Sequence, residues 1–227
     1  MKKKWMTMLL AAALLTGCGG AEEVPEQEVQ ENAPVQSELY GEQIDAYRTA
    51  LAEQWDMGAY FEQDMSELAV YYYEGDALKK VGYALMDLDT DGSDELVIGV
   101  NDEADPVIFE LWTMDENGEA VKLLTSHERN RYYLEWHEEG VYMLENQGSN
   151  GAANFAHHYY TLTDGNLQVQ QAIVFDALAN ETNPWFMAYD ADWDTSNDTG
   201  VEEEMALDII ASYSEKTIVP EYTPFAE

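Results

Sequence analysis

The amino-acid sequence predicts an α+β fold: an N-terminal helix, an antiparallel β-meander that contains one strand–loop–strand acidic motif, and a C-terminal helix. Two apolar stripes with helical spacing lie toward the two ends of the chain. Between them, short runs rich in β-branched and aromatic residues alternate with turn residues. Because no helix-length gap separates these runs, the pattern disfavours parallel βαβ units.

The N-terminal helix is predicted from one apolar stripe. Its members recur at spacings of three and four residues: Tyr40, Ile44, Tyr47, Leu51 and Trp55. Ser37 is a suitable N-cap, and Glu38 and Glu42 suit the positive end of the helix dipole. The following segment, 65–73, fits a helix and a strand equally well.

The central region is predicted to be a run of short strands. They span residues 81–88, 95–100, 107–114, 120–124, 132–137, 141–145, 155–162 and 167–175. Turn sequences separate several of these runs: Asn117-Gly118, Glu139-Gly140 and Asp164-Gly165-Asn166. Short turns between successive strands predict antiparallel neighbours.

The C-terminal helix is predicted from a second apolar face. Val201, Met205, Ile209 and Tyr213 share that face. Thr199 and Glu202 have the spacing of a capping box that would begin this helix.

The N-terminus has the organisation of an export signal. Three lysines follow Met1, and the apolar stretch that ends at Leu15 is shorter than the roughly 20 residues of a membrane span. The sequence Leu15-Thr16-Gly17-Cys18 resembles the lipobox of bacterial lipoproteins. That resemblance implies cleavage before Cys18 and acylation of its sulfur, so the membrane is an expected partner through this lipid.

These features divide the chain into three segments. Residues 1–17 form a lipoprotein signal peptide, 18–36 a lipidated cysteine with a disordered acidic tether, and 37–227 a single exported domain. The expected location is extracytoplasmic, on the membrane surface. Cys18 is the only cysteine, so the exported domain has no disulfide.

The charge of the chain excludes one class of partner. The formal net charge is −36, from 46 acidic and 10 basic residues. Removal of Lys2, Lys3 and Lys4 with the signal leaves 46 acids against 7 bases, or −39. Such a surface repels nucleic acid and anionic lipid headgroups, and it attracts cations.

The most specific chemical pattern is an acidic loop at residues 87–95. Its candidate ligands occupy alternate positions: Asp87, Asp89, Asp91, Ser93 (through its carbonyl) and Glu95. Gly92 permits a sharp bend at position 6, and calcium binds six to eight hard oxygen ligands. Position 12, where an EF-hand has a bidentate glutamate, is Ile98. The sequence therefore predicts a structural Ca²⁺ site with strand-like rather than helical flanks.

The segment from Tyr83 to Val97 resembles the calcium loops of FG-GAP and VCBS repeats and of integrin α-subunit propellers. Those proteins repeat the motif, whereas this chain has one copy. The segment is more similar to that of uncharacterised lipoproteins of Gram-positive bacteria, in which a lipobox precedes a helix, one such loop and a β-meander. This resemblance implies a fold and a cellular location, and it implies no activity.

A second acidic cluster, Asp190, Asp192 and Asp194 followed by Asn197 and Asp198, fits either a metal site or a solvated loop. Ser196 stands near the position where a glycine would help the chain bend.

Convincing catalytic patterns are missing from the sequence. The segment that begins at His137 resembles the start of a zinc-protease motif but lacks its second histidine. His157 and His158 are strand neighbours that point to opposite faces. Gly148-Ser149-Asn150-Gly151 lacks the glycine spacing of a nucleophile elbow.

Three hypotheses for function follow. The first is a non-catalytic, calcium-stabilised binding lipoprotein whose ligand is a glycan, a peptide or a protein. The alternative is a hydrolase acting on cell-wall or polysaccharide substrates, which a groove with two converging carboxylates would favour. The third is a cation-buffering surface coat with several weak sites.

Overall fold

A computed structural model describes residues 36–137 and 141–226 as a β-rich domain. The helices are α1 (Gln36–Leu39), α2 (Gly41–Glu53), α3 (Met57–Glu62), α4 (Ala77–Lys80) and α5 (Glu203–Ser214). The strands are β1 (Val81–Met86), β2 (Glu95–Val100), β3 (Ile108–Met114), β4 (Ala120–Thr125), β5 (Asn130–Trp136), β6 (Tyr142–Gly151), β7 (Asn154–Thr163), β8 (Asn166–Asp176), β9 (Trp185–Ala188), β10 (Thr199–Gly200), β11 (Thr217–Ile218) and β12 (Thr223–Pro224). Short 3₁₀ turns span Glu67–Tyr72 and Thr195–Asn197.

All twelve strands belong to one antiparallel sheet. Its main path runs β10-β9-β8-β7-β6-β5-β3-β2-β1-β12, while β4 pairs with β3 and β11 pairs with β5. The prediction of an α+β fold, with a single meander between two helices, is therefore wrong. The domain is mostly antiparallel β-structure, with several short helices before the sheet and one helix near the C-terminus.

Four short strands explain much of the difference between the predicted and the observed fold class. β9, β10, β11 and β12 contain two to four residues each, which is too few to show the alternation of a strand in the sequence. Two of them return to distant partners, since β11 pairs with β5 and β12 pairs with β1. Such pairings depend on the position of the partner strand and leave no local pattern.

Strand β2 has the predicted bounds and lies between two apolar layers. All six of its residues are buried. Leu96, Ile98 and Val100 pack into a core beneath the N-terminal helices, and Val97 packs into a second core on the other face. A continuous apolar run is expected for a strand that is covered on both faces.

The predicted N-terminal stripe lies mainly on α2, which begins after a break at Tyr40. Ile44, Tyr47 and Leu51 are buried against the sheet, as is Tyr40 itself. The helix ends at Glu53 because Gln54 adopts a left-handed C-cap conformation with φ of 52°. Trp55 therefore lies beyond the helix and is only half-buried.

Helix α5 is present where the sequence predicts a C-terminal helix, and Val201, Ile209 and Tyr213 of the predicted face pack into one core cluster, but Met205 and the cap differ from the prediction. Ala206 is buried, whereas Met205 is 53% exposed. Glu202 is the N-cap residue and its side chain makes no capping hydrogen bond. Thr199 pairs with Met187 as part of β10, so the predicted capping box is wrong.

Some sequence predictions fall outside the described residues. The signal peptide, Cys18 and nearly all of the acidic tether lie in residues 1–35, and the Glu139-Gly140 turn lies in the gap at 138–140. Within the described parts of the chain, every helix is too short or too polar to cross a bilayer.

Candidate metal centre in the loop between β1 and β2

The acidic loop closes the hairpin formed by β1 and β2. The two strands pair along their full length, and Met86 lies opposite Glu95 at the loop end. Asp87 follows the last residue of β1, and Glu95 is the first residue of β2. Strand pairing thus places the first and last acids of the motif at the same mouth of the hairpin.

Two residues with positive φ turn the chain within this loop. Gly92 has φ of +93° and Thr90 has φ of 62°. The amide of Gly92 donates a hydrogen bond of 3.1 Å to Asp87 Oδ2, across the loop. A non-glycine residue in the left-handed region is uncommon, so the turn at the exposed Thr90 carries a conformational cost.

Three carboxylates converge inside the loop. Asp87, Asp89 and Glu95 each offer one oxygen, and these oxygens all lie within 4.8 Å of one another. Like charges at this separation repel one another. The cluster can hold a metal ion, whose positive charge would remove this repulsion.

Glu95 is the most deeply buried member of the cluster, at 2% exposure. Its carboxylate accepts hydrogen bonds from the Leu88 amide at 2.9 Å and from Thr113 Oγ1 at 3.1 Å. Burial raises the pKa of Glu95 to about 7, and the nearby charges of Asp89 and Asp91 add to this rise against the effect of the hydrogen bonds. The fold therefore places this carboxylate in a buried position, where water cannot solvate its negative charge.

Asp87 contributes an oxygen with no partner in the protein. Its Oδ2 accepts from Gly92, whereas its Oδ1 is buried and has no hydrogen-bond partner. A buried acceptor without a partner costs about 1–3 kcal/mol. A cation bound between the three carboxylates would supply the missing interaction.

The predicted ligand set is only partly assembled. Asp91 lies outside the converging group, and its Oδ1 accepts a hydrogen bond of 2.7 Å from the Ser93 amide. Asp91 and Ser93 are exposed at the tip of the loop. The group that the structure brings together is therefore Asp87, Asp89 and Glu95.

Two supporting residues were missed by the sequence analysis. Thr113 on β3 holds Glu95, and the Tyr40 hydroxyl donates a hydrogen bond of 3.0 Å to the Asp94 carbonyl. Tyr40 is 54 residues away from Asp94 in the chain. The only available signal was weak: Thr113 is a polar residue on the buried side of a predicted strand.

The histidines lie away from this loop. His157 Nδ1 is 2.7 Å from Glu145 Oε1, and His137 Nε2 is 3.1 Å from Glu135 Oε2. His158 faces the other side of the sheet, with its ring 5.8 Å from that of Trp193. His137 and His157 thus belong to a polar network on one face of the sheet, whereas both ring nitrogens of the buried His158 lack a hydrogen-bond partner.

Glu135 and Glu145 form the centre of the network on one face. Their exposures are 0% and 1%. Burial, with the added charge of Glu145, raises the pKa of Glu135 to about 8, and Lys216 opposes the rise. Each side chain has one internal partner, His137 for Glu135 and His157 for Glu145, and Glu145 also lines a surface pocket of about 430 Å³.

Comparison with known proteins gives no match to the chain among family models, curated proteins or solved structures.

Proposed function

We propose that this chain is a lipid-anchored extracytoplasmic protein whose β-rich domain binds one structural Ca²⁺ ion in the loop between β1 and β2. In this proposal the domain has a non-catalytic binding role. The observation that carries it is the convergence of Asp87, Asp89 and Glu95, together with the buried, unpartnered Oδ1 of Asp87.

The donor chemistry favours calcium. The three converging ligands are carboxylate oxygens, which suit hard divalent cations. Calcium accepts an irregular set of six to eight ligands, so carbonyl groups and waters can complete its shell at the exposed loop tip. Magnesium requires near-ideal octahedral geometry and gives up its waters reluctantly.

The position of the loop supports a structural role for the ion. β2 is fully buried, and its first residue, Glu95, is also the last acid of the loop. An ion held there would fix Glu95, and with it the start of a central strand. An extracytoplasmic protein meets millimolar calcium, so a Kd of about 10⁻⁴–10⁻³ M is sufficient.

Thermal unfolding of the full chain in detergent tests the calcium proposal. We expect calcium to raise the midpoint relative to EDTA, because a ligand that binds only the folded state stabilises it by about 2.7 kcal/mol at 100 times its Kd. Asp89→Asn should remove the response, while Glu181→Gln, an exposed acid-to-amide change between β8 and β9, should keep it. Equal calcium responses in the Asp89→Asn variant and the unchanged chain would refute the site.

The anchor is tested separately by mass spectrometry of the membrane-extracted protein. The lipobox-like sequence supports a diacylated N-terminal cysteine at Cys18 after loss of residues 1–17. Cys18→Ala should leave an unacylated protein. An unmodified Cys18 in the extracted protein would remove the lipoprotein part of the proposal and leave the calcium part unaffected.

A further inference from the structure

A small cavity lies between α2 and the strands β3 and β4, apart from the acidic loop. Its volume is about 180 Å³. The residues that determine its chemistry are Tyr47, Trp55, Gln63, Glu110, Trp112 and Lys122. None of the cavity-lining residues belongs to the loop at 87–95. The cavity is therefore independent of the candidate metal centre.

Two tryptophans give this cavity aromatic walls. Trp55 and Trp112 both line it, and each is half-buried, so part of each indole remains accessible. An accessible indole face is a favourable surface for the C–H groups of a ligand ring.

The floor of the cavity contains a buried acceptor. Glu110 is 1% exposed, and its Oε2 accepts a hydrogen bond of 2.8 Å from Trp112 Nε1. Its Oε1 has no hydrogen-bond partner; the nearest cation is Lys122 Nζ at 3.5 Å. Burial raises the pKa of Glu110, and Lys122 opposes this rise. A ligand hydroxyl that donates to Oε1 would satisfy this oxygen.

The charges around the cavity favour a neutral ligand. Lys122 Nζ lies 5.0 Å from the centroid of the Trp112 ring, so the protein's own cation already occupies the cation–π position. Glu110 beside it disfavours an anion. Lys122 Nζ already donates to the carbonyl and the carboxylate of Asp64, which leaves one N–H for a ligand hydroxyl. Glu110 can accept from another hydroxyl, and Gln63 at the exposed mouth can both donate and accept.

The size of the cavity limits the ligand to one ring. Pockets for drug-sized ligands are about 300–1,000 Å³, well above this volume. We propose that the cavity binds a single neutral sugar residue, free or at the end of a glycan, with its ring against Trp112 and its hydroxyl groups between Glu110 and Lys122. This proposal rests on the binding role given above, but it does not depend on the cation.

Saturation-transfer NMR on the full chain in detergent tests this proposal, with N-acetylglucosamine and glucose as neutral probes. Glucosamine and glucuronate provide matched cationic and anionic probes. We expect the neutral sugars to bind with a Kd on the order of 1 mM, as small polar ligands do. The charged sugars should bind more weakly, because Lys122 disfavours a second cation beside Trp112, and the two lining carboxylates, Glu42 and Glu110, disfavour an anion.

Matched tryptophan variants locate the site. Trp112→Phe should weaken binding by about 5–10-fold through the loss of indole contact, whereas Trp136→Phe, a half-exposed tryptophan outside the cavity, should leave binding unchanged. Gln63→Ala changes an exposed residue at the mouth and should weaken binding even if Glu110→Gln does not fold.

Three results would overturn the sugar site: no transfer to either neutral sugar at concentrations of about 10 mM, equal binding of the charged sugars, or equal effects of the two tryptophan variants. Running the titrations in calcium and in EDTA separates the two proposals. If the sugar binds in both conditions and calcium does not shift the melting temperature, the sugar site is supported and the calcium site is refuted.

Discussion

The two acidic loops have the same spacing of acids and differ in what the fold does with them. Asp87, Asp89, Asp91, Ser93 and Glu95 occupy alternate positions of the first loop, and Asp190, Asp192, Asp194, Ser196 and Asp198 occupy the same positions of the second. Both loops connect antiparallel neighbouring strands. Across the described residues, carboxylates converge as a possible metal site in the first loop alone.

Backbone conformation is one cause of the difference. The first loop turns through Thr90 and Gly92, which both have positive φ. No residue of 190–198, a segment that the structure describes throughout, has a positive φ. The position equivalent to Gly92 is Thr195, which is buried and begins a 3₁₀ turn. The second loop thus follows a different path despite its matching acids.

The second cause of the difference between the two loops is the environment of their last acid. Glu95 begins a six-residue buried strand and is held by hydrogen bonds from Leu88 and Thr113. Asp198 precedes a two-residue strand, and its Oδ2 is buried without a partner. Burial raises the pKa of Asp198, with additional repulsion from the other acids of its loop. In the described residues, acids with this spacing converge only in the loop whose last acid is fixed by hydrogen bonds.

Exchange of the last acid for its amide is the strongest test of this comparison. Glu95→Gln should abolish the calcium response, a loss of about 2.7 kcal/mol at 100 times the Kd. In EDTA the variant should lose little stability, because the amide oxygen can still accept from the Leu88 amide while its –NH₂ donates to the Thr113 hydroxyl. Asp198→Asn should leave the calcium-dependent shift in melting temperature unchanged. The reverse pattern would place the ion in the second loop.

Replacing Glu135, a buried glutamate outside both acidic loops, with its amide should raise rather than lower stability. The pKa of Glu135 is raised from 4.5 to about 8, so the folded state binds a proton that the unfolded state releases between these pH values. Stability is therefore full below pH 4.5 and declines as the pH rises through 8. Glu135→Gln should raise stability above pH 8 by roughly 2–4 kcal/mol, since each pKa unit is worth about 1.4 kcal/mol, and should have little effect near pH 5.

Chemical denaturation of both proteins at pH 5, 7 and 9 measures this difference. A gain for Glu135→Gln that is the same at all three values would show that Glu135 does not titrate in this range. A loss at pH 9 would show that its charged form stabilises the fold.

Substitution of Gly92, the turn residue of the first loop, should have a smaller effect on stability. Gly92→Ala places a side chain at φ of +93°, where open space surrounds the Cβ position, so the cost is conformational. We expect a loss of about 1–2 kcal/mol in stability and a weaker calcium response. Gly41→Ala lies in open space at the start of α2 and serves as the matched control in thermal melts. Equal stability of the two variants would show that the turn does not require glycine.

The smallest expected effect is that of Asp192→Asn, at the position that matches Asp89. Asp192 is exposed, and its Oδ1 accepts from the Asp194 amide, a hydrogen bond that asparagine can also accept. The change in stability should stay within about 0.5 kcal/mol, and the calcium shift should remain. Calcium titration calorimetry that detects two sites, one of them lost in this variant, would contradict the difference between the loops.

Local features of the fold could be predicted because their causes are local. The apolar run of β2 and the turn residues of the central strands mark their own positions in the sequence, and the acids of the first loop lie within nine residues. The main error was the fold class, because β9–β12 are defined by their partners. A two-residue strand such as β11 exists only because β5 offers hydrogen bonds to it.

The sequence by itself determined the acid spacing, the central strands and the segments at the N-terminus that predict export and an anchor. The tertiary structure decided which acids meet, because Tyr40, Thr113 and the pairing of Met86 with Glu95 come from separate parts of the chain. It also decided the buried state of Glu110 and the cavity above it. The physical reason is that burial and unmet hydrogen bonds depend on the packing of distant segments, which no local pattern specifies.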